Sequence, residues 1–272
     1  MTLLVSWPGI QTKGKGNEVI GSLYIATDSR YSWPNDKAIF DYGKKIFSCY
    51  NSPDAFALCG TVMFPALVLS ALVTLIDRGV FFSGNESKDE KVARVKSYLD
   101  NAIRHYNKRE IGRFEILYIL RVSEKFYLCH FNYDGYLSYE EKDLLKEKYH
   151  YFATGSGKNT FDGDFIDYNN DDNYLTSRYI FHCFIHAINS NQVADVGGKP
   201  QIVALYGTGN TIDIGYIEDN RCYLHGNECA DYIDLQQIQE WRNVNFERCD
   251  PKTKQMLMGA QRQPFRNWKN SQ

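Results

Sequence analysis

Apolar positions fall into short strand-length runs and longer helical ones, and the order of these runs suggests an architecture. Thr2 to Trp7 and Val19 to Ala26 are apolar runs of strand length on either side of Pro8 to Asn17, a loop-like stretch of Gly and Lys. Together they predict a long β-hairpin. Ala38 to Tyr50 and Ala55 to Cys59 predict two more strands around the turn signal Asn51-Ser52-Pro53-Asp54. Met63 to Arg78 is apolar nearly all round and predicts a buried helix. Ser87 and Glu90 have the spacing of a capping box, and behind them Val92, Val95, Leu99, Ala102 and Tyr106 recur at helical intervals.

Strand-length runs then return. Phe114 to Val122 and Phe126 to Tyr133 read as strands joined by Ser123-Glu124-Lys125, with Asp134-Gly135 as the next turn. A charged insert, Glu140 to Lys148, precedes a strand that ends in Ala153-Thr154-Gly155-Ser156-Gly157. Tyr174 to Asn189 predicts a third long helix, and Gln201 to Tyr206 and Ile212 to Ile217 the last strands. The mixed, polar tail carries one expected helix near Leu235 to Arg242. Strand blocks alternating with helix blocks, with hairpins inside the strand blocks, suit antiparallel sheets between helical layers. The expectation is one domain over residues 1–223, with 224–272 as a C-terminal extension that packs on it or serves oligomer or partner contacts.

Composition narrows the function class. The 272 residues carry a net charge of -2 and no run of Lys and Arg, so no nucleic-acid footprint is expected. Seven scattered cysteines with no CxxC pair suggest neither a disulfide framework nor a zinc site, and point to a reducing, cytoplasmic setting. No basic segment with an apolar core opens the sequence, so no secretory signal is expected. The longest apolar stretch, Val62 to Ile76, is interrupted by Pro65, Ser70 and Thr74 and is short for a bilayer, so no membrane association is expected.

Three apparent motifs dissolve on inspection. Thr154 to Thr160 looks like a phosphate loop, but Phe152 stands where the first glycine is needed. His182 and His186 share a helical face without the Glu of a zinc helix, and read as a polar face. Asp162, Asp164 and Asp167 suggest a calcium loop, yet Asp167 and Asn173 occupy its Gly and Glu places, leaving a solvated loop.

Other residues combine better. Thr2 opens an apolar strand, and trimming Met1 would give it a free α-amine. "YIATDSR", "YGKKIF", "FALCGT" before a helix, and the later "ATGSGK" follow at strand ends. With this set the sequence resembles the β-type subunits of the proteasome-like N-terminal nucleophile hydrolases and their bacterial relatives, from Thr2 to about Ile217. The resemblance implies an α+β fold, a four-layer αββα sandwich of two antiparallel sheets between helical layers. It implies a threonine-type peptidase in which Thr2 is the nucleophile, Asp28 and Lys45 the paired Asp and Lys, Gly60 the oxyanion donor and Ser156 the relay serine.

Only one of Lys44 and Lys45 can enter a site from one strand face, and the spacing to Asp28 and Gly60 selects Lys45. The family carries an Asp shortly before a Gly-Gly step. Here Val193 holds that place before Val196-Gly197-Gly198, and the nearest carboxylate, Asp195, is the candidate. Leu58 is expected to floor an apolar substrate pocket lined by Tyr31 and Val62, with Ser32 bonding an extended peptide backbone. The resemblance calls for no cofactor and no metal. It implies a peptide or protein substrate and self-assembly into a homo-oligomeric ring or stacked ring, and leaves room for an ATP-dependent unfoldase as partner. A proteasome-fold scaffold or binding module without catalysis, or a small-molecule amidase, are the alternatives.

The chemistry stands apart from the name. A threonine hydroxyl is a weak nucleophile and needs a base within hydrogen-bond reach. An α-amine has an ordinary pKa of about 8, which an adjacent cation lowers towards neutrality.

Overall fold

A computed structural model describes residues 2–13, 17–33, 38–167 and 176–260. The opening hairpin pairs β1 (Leu4–Lys13) with β2 (Asn17–Thr27) along their whole lengths. The ladder therefore runs through the stretch expected to be a loop; its residues 14–16 lie outside the described set. Pro8 is tolerated because β10 (Phe152–Thr154) covers β1 only from Leu4 to Ser6, so the missing Pro8 N–H costs no ladder bond on that side.

An eight-stranded sheet continues from this hairpin in the order β10-β1-β2-β11-β12-β13-β14, where β11 is Gln201–Tyr206, β12 Thr211–Glu218, β13 Arg221–Leu224 and β14 Asn227–Glu228. Its last strand, β15 (Glu240–Asn243), runs parallel to β12. A five-stranded antiparallel sheet holds β5 (Ile46–Ser48), β6 (Asp54–Gly60), β7 (Phe114–Val122), β8 (Lys125–Tyr133) and β9 (Leu137–Lys142). Between them in sequence, β3 (Tyr31–Trp33) and β4 (Ala38–Phe40) pair only with each other. The expected run Ala38 to Tyr50 is thus split into β4 and β5 by a turn.

Four helices complete the described residues: α1 (Met63–Asp77), α2 (Lys88–His105), α3 (Lys158–Asp167) and α4 (Ser177–Asn189). The capping box opens α2: Ser87 Oγ accepts from the Glu90 N–H at 3.3 Å, and Glu90 Oε2 accepts from the Ser87 N–H at 2.8 Å. Such a cap contributes about 1 kcal/mol.

These counts correct the expected fold. Among the described residues the chain is mostly β, 37% strand against 24% helix, with four helices and three sheets that are antiparallel except at β15, and is not the four-layer αββα sandwich. Strand content exceeds the expectation for identifiable reasons. Tertiary packing makes the Leu235 to Arg242 segment a 3₁₀ turn, Leu235–Gln237, followed by β15. There Trp241 lies flat on Gly215, where any Cβ would sit 2.2 Å from the indole. The acidic stretch after Gly157 is helical in α3 rather than a solvated loop, and Asp164 bonds His186 at 2.8 Å. The expected start of the third helix at Tyr174 lies outside the described residues, as does Asn173.

Buried side chains gather in separate clusters. One joins α3 and α4 to the eight-stranded sheet around Val5, Trp7, Phe165 and Phe181. Another joins α1 and α2 to the five-stranded sheet around Leu58, Leu69, Val95 and Phe114. A third draws Leu4, Ile25 and Val203 from the larger sheet together with Ile46, Ala57 and Leu117 from the smaller. The segment after Leu224 joins in through Trp241 and Cys249. Among the described residues no helix is long and apolar enough to cross a membrane.

Candidate active site

The ends of β1, β2, β6 and β10 meet with the turn before β5 around the first described residue, Thr2, which is fully buried. Lys45 Nζ donates to Thr2 Oγ1 at 2.8 Å and to Asp28 Oδ1 at 2.9 Å, and neither the ammonium nor the carboxylate reaches solvent. Asp28 is saturated with donors. Oδ1 also accepts from the Leu3 N–H at 3.0 Å, and Oδ2 accepts from the N–H groups of Arg30 at 3.2 Å and Gly197 at 3.1 Å. A buried carboxylate so fully bonded is fixed in place, and fixes the ammonium it pairs with.

Lys45 reaches inward because of the turn between β4 and β5. The buried Gln201 at the head of β11 receives the N–H groups of Lys45 at 3.0 Å and Ile46 at 3.3 Å, and donates to the Gly43 carbonyl at 2.6 Å. Gly43 is needed there because a Cβ would lie 2.4 Å from the Tyr31 ring. Lys44 points away, its ammonium 5.5 Å from the Phe47 ring centroid.

Ser156 lies on the other side of Thr2. Its Oγ is 3.3 Å from the Thr2 nitrogen, and the Gly157 N–H donates to the Thr2 carbonyl at 3.3 Å. Gly155 has φ +93°, and a Cβ there would fall 2.1 Å from the Thr2 carbonyl oxygen, so only glycine lets the turn wrap this closely. Gly60 has the same φ of +93° at the end of β6, and a Cβ would be 2.6 Å from the Arg113 carbonyl oxygen.

Asp195 is not hydrogen-bonded to this cluster. No hydrogen bond joins it to Thr2, Lys45 or Ser156 among the described residues. The Arg30 guanidinium is held above its ordinary pKa chiefly by its hydrogen bond to Asp41, against desolvation, with smaller contributions from Asp41, Asp28 and Asp195 charges. The Val196-Gly197-Gly198 segment thus supplies a backbone N–H to Asp28 where a carboxylate was expected at Thr2.

A groove of about 1360 Å³ begins at Gly60 and follows α1 as far as Leu75. Tyr31, Ser32 and Val62 line it, with Met63, Ala66, Leu67 and Ala71 along the helix. Leu58 does not: it is fully buried in the core beneath α1, and Phe47 lines the groove instead. Burial, with the Asp28 charge second, raises the Tyr31 phenol to about 12, and its hydroxyl donates to the Lys44 carbonyl. Ser32 Oγ is buried at the groove with no partner among the described residues.

Sequence reasoning missed Gln201 and Glu115. The signal for each was a polar residue in an otherwise apolar strand, QIVALY and FEILYIL. The chain matches no protein-family model and no curated protein.

Proposed function

We propose that the protein is an N-terminal threonine hydrolase of the N-terminal nucleophile type, acting on peptide bonds. The observation that carries this reading is the Lys45 ammonium, buried and held between Thr2 Oγ1 and Asp28. A buried cation has a strong reason to be placed against a hydroxyl when that hydroxyl is to develop negative charge.

Removal of Met1 converts the Thr2 nitrogen from an amide into an amine. That amine takes the Oγ proton, and Oγ forms a bond to the substrate carbonyl carbon while Lys45 stabilises the forming alkoxide. The carbonyl oxygen gains negative charge facing the Gly60 N–H. The protonated amine then passes its proton to the departing amine as the C–N bond breaks, leaving an ester on Thr2. Water attacks this ester, gives a proton to the α-amine, and the acid product leaves with Oγ reprotonated. Ser156, beside the Thr2 nitrogen, relays protons at each stage.

The groove along α1 supports a peptide over a small amide as substrate. Its volume exceeds what one side chain needs, and its lining is mainly apolar, so Leu or Tyr before the scissile bond suits it. Ser32 Oγ is available to an extended substrate backbone. A second reading, a binding or scaffold protein without catalysis, is favoured by the full burial of Thr2. Self-assembly into a ring, a protein substrate delivered by an ATP-dependent unfoldase, and a cytoplasmic setting consistent with seven free thiols complete the proposal.

Intact mass spectrometry of protein from its native cells is the test. A chain starting at Thr2 that gains one peptide-epoxyketone adduct, lost in Thr2→Ala, supports the hydrolase. Retained Met1 with no adduct leaves the scaffold reading.

A further inference from the structure

We infer that Glu115 and His130 act as a clamp that positions Thr2 against Gly60, working through Thr154; this rests on the reading of Thr2 as the nucleophile. Glu115 is the one acid in the strand β7 and sits directly across from Cys59, the residue before Gly60. Its Oε2 accepts from Thr154 Oγ1 at 2.6 Å and meets His130 Nε2 at 2.6 Å. His130 Nδ1 lies 3.3 Å from Glu140 Oε1, so the imidazole is held from both sides.

Thr154 belongs to the other sheet. It ends β10, opposite Leu4 in the ladder, and the next three residues are the turn around Thr2. Gly155 passes against the Thr2 carbonyl, Ser156 Oγ stands at its nitrogen and the Gly157 N–H bonds its carbonyl. The Thr154–Glu115 bond therefore spans from the strand that carries the nucleophile's turn to the strand pair that carries Gly60. Its length helps set the spacing between Thr2 Oγ and the Gly60 N–H, and a misplacement of about 1 Å there is enough to slow the reaction ~10²-fold.

Glu115 is favoured as the carboxylate. Burial pushes its carboxyl up, but hydrogen bonds from His130 and Thr154 hold it below the ordinary value. Neither Glu115 nor His130 touches Thr2, so both are positioning residues.

The test uses the full chain, with Met1 removal checked by mass for each variant. Glu115→Ala, Glu115→Gln and Thr154→Val are compared for cleavage of a fluorogenic peptide ending in Leu, for epoxyketone acylation rate and for hydrogen exchange at the Ser156 and Gly157 amides. The clamp requires kcat and acylation to fall at least ~10-fold in Glu115→Ala and Thr154→Val with KM within ~3-fold, alongside faster exchange at Gly157. Glu115→Gln, which keeps a carbonyl acceptor for Thr154, should restore most of the rate. Thr154→Val preserves size and covers the case in which Glu115→Ala fails to fold. Active variants with wild-type kcat and unchanged Gly157 exchange overturn the clamp alone. Wild-type protein that takes no adduct and cleaves nothing overturns the nucleophile reading, and this inference with it.

Discussion

Lys45 Nζ lies 2.8 Å from Thr2 Oγ1, inside the protein and with its charge met by Asp28 at 2.9 Å. Lys45 and Asp28 are brought together by the end of β2 and the turn before β5, and Thr2 reaches them from the start of β1. Removing the ammonium should therefore cost much more than removing its neighbour. Lys45→Met is expected to lower kcat/KM by ~10³ or more, whereas Lys44→Met should stay within about twofold. Because Asp28 is left as an uncompensated buried charge, Lys45→Met should also lose about 3–5 kcal/mol of stability. Thermal melts and peptide kinetics on the two variants check both parts. Equal losses in both would remove Lys45 from the site.

Gly60 is constrained by backbone geometry as well as by the proposed chemistry. With φ +93° and the Arg113 carbonyl oxygen 2.6 Å from any added Cβ, Gly60→Ala must shift β6 or β7. Strain at this backbone conformation alone costs about 1–3 kcal/mol, and the clash adds to it. A lower melting temperature is expected, together with acylation reduced by ~10² or more. Wild-type stability in this variant would contradict the geometry.

The groove predicts specificity. Ala66 and Ala71 are small residues on the α1 face that lines it. Ala66→Trp should obstruct part of the groove and raise KM by ~10-fold with little change in the rate of acylation by a small reagent. For the unaltered protein, fluorogenic peptides ending in Leu or Tyr should be cleaved faster than those ending in Asp or Glu. The reverse order would mean that the groove does not seat the residue before the scissile bond.

Glu86 gives the clearest dependence of stability on acid. Burial pushes its carboxyl up, but hydrogen bonds from the backbone and hydroxyl of Ser83 and the backbone of Gly84 prevail and bring it to about 2. A carboxyl held below its ordinary value binds its proton more readily unfolded than folded. Its contribution is full above the ordinary value of about 4.5, erodes as pH falls, and is gone below about 2. Between pH 5 and 2, melting temperature should therefore fall more steeply for the wild type than for Glu86→Gln. Parallel curves would show that Glu86 does not supply this dependence.

Local pattern was enough to place most elements. Residues 114–133 read as a hairpin because two strand-length apolar runs flank the polar Ser123-Glu124-Lys125, and Ser87 with Glu90 marks the start of α2 through bonds made within four residues. The grouping of Thr2, Asp28, Lys45, Gly60 and Ser156 was likewise visible as a set of strand-end residues at characteristic spacings. Choosing Lys45 over Lys44 rested on its spacing to Asp28 and Gly60.

Tertiary contacts decided the rest, for reasons no local window contains. Residues 235–242 suit a helix alone, but Gly215 offers Trp241 a flat surface and β12 an open edge, and pairing there outweighs helix propensity. Residues 38–50 read as one strand, yet Gln201, distant in sequence, supplies the hydrogen bonds that hold Gly43 to Lys45 out of the strand and send Lys45 inward. The pairing of β15 added strand and the turn before β5 removed it, and among the described residues the expected layered sandwich gave way to a mostly β assembly of three sheets. Leu58 went to the core because residues on both sides of β6 bury it, leaving Phe47 at the groove. The Gly197 N–H bonds Asp28, so the loop that carries Asp195 is placed by a contact between segments far apart in sequence. In each case the deciding partner lies on another element, so its effect exists only once the chain has folded.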